Sequence, residues 1–184
     1  MRIGIRRLEP RDDRAGFRSG NVDLDRFFIR YAGQNQFRHH IGTTYAAVDG
    51  DGKVVGFATV TVSELATAHL SEAKRKRLPA YHIPVLRLGR LAVDEKMRGR
   101  GIAQDILRSV FALAQRMAAD MGCAGVVVDA KPEAMDFYRR LGFIDLEVEA
   151  GLVGDRPQPS PMFLELGAIQ KSTRERLRAS QQTF

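Results

Sequence analysis

The stretch from Val85 to Met121 constrains the fold most, because its hydrophobic period changes partway through. Val85 to Val93 is a short apolar run of strand character. Beyond it Ile102, Ile106, Val110, Leu113 or Ala114, Met117 and Met121 fall on one stripe at helical spacing, with Arg108, Gln115, Arg116 and Asp120 off it. A strand must therefore give way to a long amphipathic helix across the polar segment Asp94 to Gly101, and a helix with one apolar stripe packs on a sheet. That junction also suits a diphosphate. Amides in the first turn of a helix lack intrahelical acceptors, the helix dipole favours negative charge there, and glycines let a ligand approach the backbone. Arg98 and Arg100 can add charge-assisted bonds. Arginine and glycine at a loop often serve only turn geometry and solvation, so the segment Arg98 to Ala103 alone leaves both readings open.

The remaining elements place this junction in a mixed α/β chain. Arg2 to Leu8 reads as an opening strand, and Asp23 to about Phe37 as an amphipathic helix with Leu24, Phe27, Phe28, Tyr31 and Ala32 on its buried face and Asn21 or Asp23 as cap. Thr43–Val48 and Lys53–Leu65 form a strand pair across Asp49-Gly50-Asp51-Gly52, whose Asp-Gly steps favour a hairpin turn. A short polar helix carries Lys74-Arg75-Lys76-Arg77. After the long helix come a buried strand at Val126–Val128, a helix from Pro132 to Leu141 stopped by Gly142, and two final strands at Phe143–Val148 and Met162–Leu166 joined by a loop holding Pro157, Pro159 and Pro161. One domain over 1–167 and a basic polar tail over 168–184, marginally helical or disordered, is the expected division.

Composition narrows the function classes. The single cysteine, Cys123, excludes an internal disulfide framework and a cysteine-based zinc cluster, and its apolar surroundings mark it as core. The first twenty residues carry six arginines instead of a hydrophobic signal region, and no apolar run reaches the length of a membrane span, so a soluble, cytoplasmic protein without a metal is expected. Lys and Arg number 29 against 22 Asp and Glu, a net charge of +7. This excess fits a polyanionic partner, and it equally fits an arginine-rich genome.

Two segments in fixed order resemble one family. Arg98-Gly99-Arg100-Gly101-Ile102-Ala103 resembles motif A of the GNAT N-acetyltransferases, Gln/Arg-x-x-Gly-x-Gly/Ala, ending in Ala103 where many relatives have glycine. Ala134-Met135-Asp136-Phe137-Tyr138-Arg139-Arg140-Leu141-Gly142-Phe143 resembles motif B. The resemblance implies the GNAT fold, a central, mostly antiparallel sheet with splayed strands flanked by helices, and acetyl-coenzyme A as co-substrate. It implies that the backbone along Leu91, Ala92 and Val93 pairs with the pantetheine arm, that the amides of Arg98, Gly99, Arg100, Gly101, Ile102 and Ala103 hold the pyrophosphate, and that Phe137 packs beneath the arm or into the core. Tyr138 would turn its hydroxyl toward the thioester sulfur. A phenol can protonate a departing thiolate, so Tyr138 is the candidate acid; its alternative is a half-buried helix aromatic. Glu64, His69 and His82 are candidates for a general base, and each is more often structural or solvated. An α-amino acceptor needs no base, since its reference pKa near 8 leaves a neutral fraction at pH 7.

The N-terminal run Phe17-Arg18-Ser19-Gly20-Asn21-Val22-Asp23-Leu24-Asp25-Arg26-Phe27-Phe28, with Ala32-Gly33-Gln34-Asn35-Gln36, Thr44-Tyr45, Val55-Gly56-Phe57 and Leu88 to Asp94, resembles something narrower: the GNAT toxins of type II toxin–antitoxin modules. That resemblance implies acetylation of the α-amine of aminoacyl-tRNA, blocked translation, a ribbon-helix-helix antitoxin, and a homodimer. Lys74 to Arg77, Arg87, Arg90 and Arg139-Arg140 are the cationic groups available to tRNA. An acetyltransferase acting on a small-molecule amine or a protein amino group is the other enzyme reading, and a degenerate fold serving as a binding module is the non-enzymatic one.

Overall fold

A computed structural model of the chain describes residues 3–147 and 159–171. Seven strands, β1 (Gly4–Arg7), β2 (Thr43–Val48), β3 (Val54–Leu65), β4 (Ile83–Val93), β5 (Gly125–Ala130), β6 (Ile144–Asp145) and β7 (Ser160–Glu165), form one sheet in the order β1-β2-β3-β4-β5-β7-β6. The helices are α1 (Val22–Arg26), α2 (Glu72–Arg75), α3 (Ile102–Asp120) and α4 (Met135–Arg140). The chain divides into two compact units, Met1–Thr61 with Leu88–Ala112, and Val62–Arg87 with Leu113–Phe184.

In the first unit β1 and β3 flank β2, both antiparallel to it, with Ile5 opposite Ala47 and Tyr45 opposite Ala58. The turn after β2 behaves as its Asp-Gly steps require: Asp49 Oδ1 accepts the amides of Asp51 and Lys53 at 3.0 and 2.9 Å. Residues 54 to 60 of β3 are buried without alternation, the mark of a strand covered on both faces. Phe57 is fully buried and stacks on Phe28 at 4.2 Å and 8°, and Phe17 meets Phe28 edge-on at 4.9 Å. Burying a phenylalanine of this kind contributes about 2–3 kcal/mol. Gly56 brings α3 close to the sheet: a Cβ there would lie 3.0 Å from Ile106 Cδ1 and 3.2 Å from both the Ala92 oxygen and Ile102 Cγ2.

The N-terminal helix differs from its expected period. Asn21 caps it, accepting the Leu24 amide at 3.1 Å, but Phe27–Tyr31 and Gln34–His39 are π-helical. The Ala32 amide reaches back to the Phe27 carbonyl, one residue further than in an α-helix. That wider turn keeps Phe27, Phe28 and Ala32 in the core and rotates Tyr31 outward, where 45% of it is exposed. Gln36 ties the helix to the sheet edge, donating to the Leu8 carbonyl at 2.9 Å and accepting the Thr44 amide at 2.7 Å.

In the second unit β5 and β6 both pair antiparallel with β7, and Leu65, Leu70, Ile83, Val85, Val127 and Phe163 form its core. Cys123 is buried, its thiol donating to the Gly125 carbonyl. Three boundaries shift from expectation. Met121 is exposed, because α3 ends at Asp120 and Gly122, with φ +93°, turns the chain away. Pro161 lies inside β7 opposite Asp129, not in the preceding loop, and its carbonyl accepts the Leu146 amide at 3.0 Å. Within the described part of the strand expected over Phe143–Val148, residues 143–147, only Ile144–Asp145 is strand. Residues 166–171 are helical; the rest of the expected tail and Pro157 lie outside the described residues. Among the described residues no helix is long and apolar enough to cross a membrane.

Candidate active site

The junction loop begins at Asp94, which is 4% exposed although it is a carboxylate. Its cost of burial is offset by backbone amides. The side chain accepts those of Lys96 at 3.1 Å and Arg18 at 3.4 Å, while the residue's own amide donates to the Val55 carbonyl at 2.9 Å. A single 3-10 turn, Glu95–Met97, rests on this cap. Gly99 and Gly101 then take φ of +72° and +77°, a region costly to residues with a Cβ. No atom lies within 4 Å of a Cβ built on Gly99, and only Gln104 Oε1, at 4.0 Å, approaches one on Gly101. The glycines are thus needed for backbone direction and not for packing, and the space beside them is open.

Helix α3 starts immediately afterwards. The Asp105 amide finds the Gly101 carbonyl at 3.1 Å, so the amides ahead of it sit at the orphan positions of the first turn. Ile102 is buried and anchors that turn, while residues 98 to 101 are exposed. The two arginines diverge. Arg98 directs one guanidinium nitrogen to the Ser19 carbonyl. Among the described residues Arg100 has no hydrogen-bond or ion-pair partner. Along β4, Ala92 is buried and Leu91 and Val93 are half-buried. Open positive-φ glycines, first-turn amides and one uncommitted arginine fit a diphosphate.

In the second unit, Pro132–Ala134 forms a 3-10 turn leading into α4, where expectation had one continuous helix. Tyr138, on α4, is 6% exposed. Its ring lies edge-on to Phe137 at 5.2 Å and to Phe143 at 5.3 Å, and among the described residues nothing hydrogen-bonds its hydroxyl. Burial pushes the phenol up to about 12, because a phenolate surrounded by hydrocarbon loses hydration. Such a group holds its proton throughout the physiological range.

The base candidates are engaged. His82 Nδ1 lies 3.3 Å from Glu64 Oε2 on the surface, and His69 Nδ1 lies 3.0 Å from the Glu147 carbonyl. The cationic candidates are also partly committed. Lys74 pairs with Glu165 and Lys76 with Glu72 at 2.7 and 2.8 Å, Arg87 pairs with Asp129, and Arg139 with Asp136 and Asp145. Arg90 covers the Phe27 ring at 3.7 Å. Among the described residues Arg75, Arg77 and Arg140 stay without such a partner. The N-terminal run proves structural in its details: Asn21 is a cap, Phe17, Phe27 and Phe28 are core, and Ser19 hydrogen-bonds Asp25.

Comparison with known proteins identifies the family. Residues 40–145 match the family model described as Acetyltransferase (GNAT) domain. The chain is 32% identical over 139 residues, 75% of its length and 82% of the other's, to the tRNA-acetylating toxin of Mycobacterium tuberculosis. Among solved structures it is similar to AtaT complexed with acetyl-methionyl-tRNAfMet, at TM-score 0.80 and 26% identity over 94% of this chain and 99% of that one. It is also similar to AtaTR bound with AcCoA, at TM-score 0.74 and 26% identity over 93% and 98% of the two chains.

Proposed function

The chain belongs to the GNAT acetyltransferase family, and on that premise we propose that it is an acetyl-coenzyme A-dependent N-acetyltransferase whose acceptor is the α-amine of aminoacyl-tRNA, a transfer that blocks translation. The observation that carries the reading is the open loop at Gly99 and Gly101, positive in φ and free of packing, at the head of α3. Its support for the acceptor is the likeness to a tRNA-acetylating toxin over most of both chains. The catalytic domain spans 1–167 on this reading, with 168–184 a basic appendage.

Each residue then has a defined task. The amides of Arg98, Gly99, Arg100, Gly101, Ile102 and Ala103 hold the diphosphate and Arg100 adds a charge-assisted bond. The backbone of Leu91, Ala92 and Val93 takes the pantetheine arm as an added strand, and Phe137 packs beneath it. The acceptor amine attacks the thioester carbonyl; a C–N bond forms, the C–S bond breaks, Tyr138 Oη delivers its proton to the departing sulfur, and the proton lost from the acceptor nitrogen passes through solvent to restore the phenol. A neutral α-amine is already present at pH 7, so the engagement of Glu64, His69 and His82 elsewhere costs the mechanism nothing. Arg75, Arg77 and Arg140 are the cations available to tRNA phosphates.

A protein that stops translation needs a neutraliser in the same cytoplasm, and a ribbon-helix-helix antitoxin is the partner this reading assigns, with a homodimer as the assembly. Cell-free translation tests it. Added protein should arrest synthesis only when acetyl-coenzyme A is present; arrest without it, or none with it, contradicts the reading.

A further inference from the structure

We propose that Asp25, Ser19 and Arg98 form a strut that pre-shapes the diphosphate loop, making Asp25 and Arg98 positioning residues for acetyl-coenzyme A. The inference rests on the reading of Gly99 to Ala103 as the diphosphate site; it adds Asp25 and Ser19, which neither motif contains, and gives Arg98 a positioning role.

The strut is built from the N-terminal run. Asp25 Oδ1 accepts both the amide of Ser19 at 2.8 Å and its hydroxyl at 2.5 Å, and Ser19 is 4% exposed. With its amide and hydroxyl both held on one carboxylate, Ser19 is restrained beside Arg98. That carbonyl receives the Arg98 guanidinium. The neighbouring peptide adds two further ties, since the Arg18 carbonyl accepts the Glu95 amide at 2.8 Å and the Arg18 amide donates to Asp94 at 3.4 Å. Gly20 closes the arrangement: it has φ +78°, and a Cβ there would stand 3.1 Å from Arg98 Nη2 and 3.6 Å from Glu95 Oε2.

The loop beyond Arg98 explains why a strut is needed. Gly99 and Gly101 have the widest conformational freedom of any residue type, and the turn they shape has no side-chain packing of its own. An unrestrained loop would be ordered only on binding, and the ordering would be subtracted from affinity. Fixing the residue before Gly99 removes part of that cost in advance. Arg98 therefore acts on the ligand through the backbone, unlike Arg100, whose charge is free to reach a phosphate.

Calorimetric titration with acetyl-coenzyme A, alongside steady-state kinetics, tests this. Asp25→Ala should raise Kd and KM for acetyl-coenzyme A about five- to tenfold, the equivalent of one lost hydrogen bond, with kcat at saturation unchanged. Asp25→Asn, which keeps an acceptor oxygen, should restore most of the affinity. Arg98→Met should match Asp25→Ala, and the double variant should be no worse than either, because the two residues act in one chain of contacts. Arg98→Met should also leave the salt dependence of Kd intact, whereas Arg100→Met flattens it. If Asp25→Ala does not fold, Ser19→Ala gives a smaller rise of the same kind. Wild-type affinity in Asp25→Ala, or multiplying effects in the double variant, overturns the strut alone. A wild-type protein that takes up no acetyl-coenzyme A overturns the underlying reading with it.

Discussion

Tyr138 meets Phe143 edge-on, with ring centroids 5.3 Å apart and planes inclined at 69°. The contact fixes the phenol ring through packing and leaves its oxygen with no hydrogen-bonding role among the described residues. Ring and hydroxyl can therefore be separated by one substitution. Tyr138→Phe keeps the packing, so its melting temperature should stay near that of the parent and acetyl-coenzyme A should bind as before. Turnover should fall by about 100-fold or more, the usual share of a general acid. Unchanged turnover at normal affinity would remove Tyr138 from the chemistry.

The same burial makes a prediction about alkaline stability. The phenol's ordinary value of 10.0 is raised to about 12 in the folded chain. Below pH 10 both folded and unfolded states hold the proton and the contribution is complete. Between pH 10 and 12 the unfolded state releases it first, so folding weakens as pH rises, by roughly 2–3 kcal/mol in full. Urea unfolding from pH 9 to 12 should show the stability of the wild type falling relative to Tyr138→Phe. A difference that stays constant with pH would contradict the assignment.

Gly101→Ala tests the loop. The added methyl meets open space, so the penalty is conformational, about 1–2 kcal/mol for holding φ at +77°. The alanine loop should relax toward negative φ and withdraw its amides. Acetyl-coenzyme A affinity should drop about tenfold, a loss of the same size, with little change in thermal unfolding. Equal affinity would mean that these amides do not carry the ligand.

A fourth expectation concerns acid. Arg6 holds Asp12 in a two-pronged ion pair at 2.8 and 2.6 Å, and the Glu9 amide adds a bond at 2.7 Å. The hydrogen bond from Arg6 is the main cause that keeps the Asp12 carboxyl below its ordinary 3.8. Its contribution is complete above that ordinary value and is lost as pH falls through the depressed one. Asp12→Asn should be less stable at pH 6 and should lose less on acidification to pH 2. Parallel acid curves for the two proteins would show that the pair is neutral in energy.

Much of the fold was legible in the residues because the signals were local. The change of period at Asp94 to Gly101 located both β4 and α3, and Asp49 to Gly52 located the hairpin. The loop glycines could be placed between β4 and α3 from order alone, since a strand, a glycine pair and a helix start are consecutive in sequence. Tyr31 was misplaced because a hydrogen bond spanning one extra residue resets the helical face, and nothing in the residue types announces that. The partner of Arg98 was equally hidden: Ser19 lies 79 residues away in the chain. Asp94 does carry a local signal, since an aspartate two residues before the amide it caps is a common turn device. The pairing of Lys74 with Glu165 and of Arg87 with Asp129 is likewise tertiary, whereas Lys76 and Arg139 meet Glu72 and Asp136 within one helical turn.

The acceptor is the central claim, and the destination of one acetyl group decides it. The protein should be incubated with acetyl-labelled coenzyme A together with charged total tRNA, uncharged tRNA, or free amino acids. Label should enter only the charged tRNA and leave it on mild alkaline deacylation as N-acetyl amino acid. Label found only in the free amino acids, or retained on uncharged tRNA, would contradict the account.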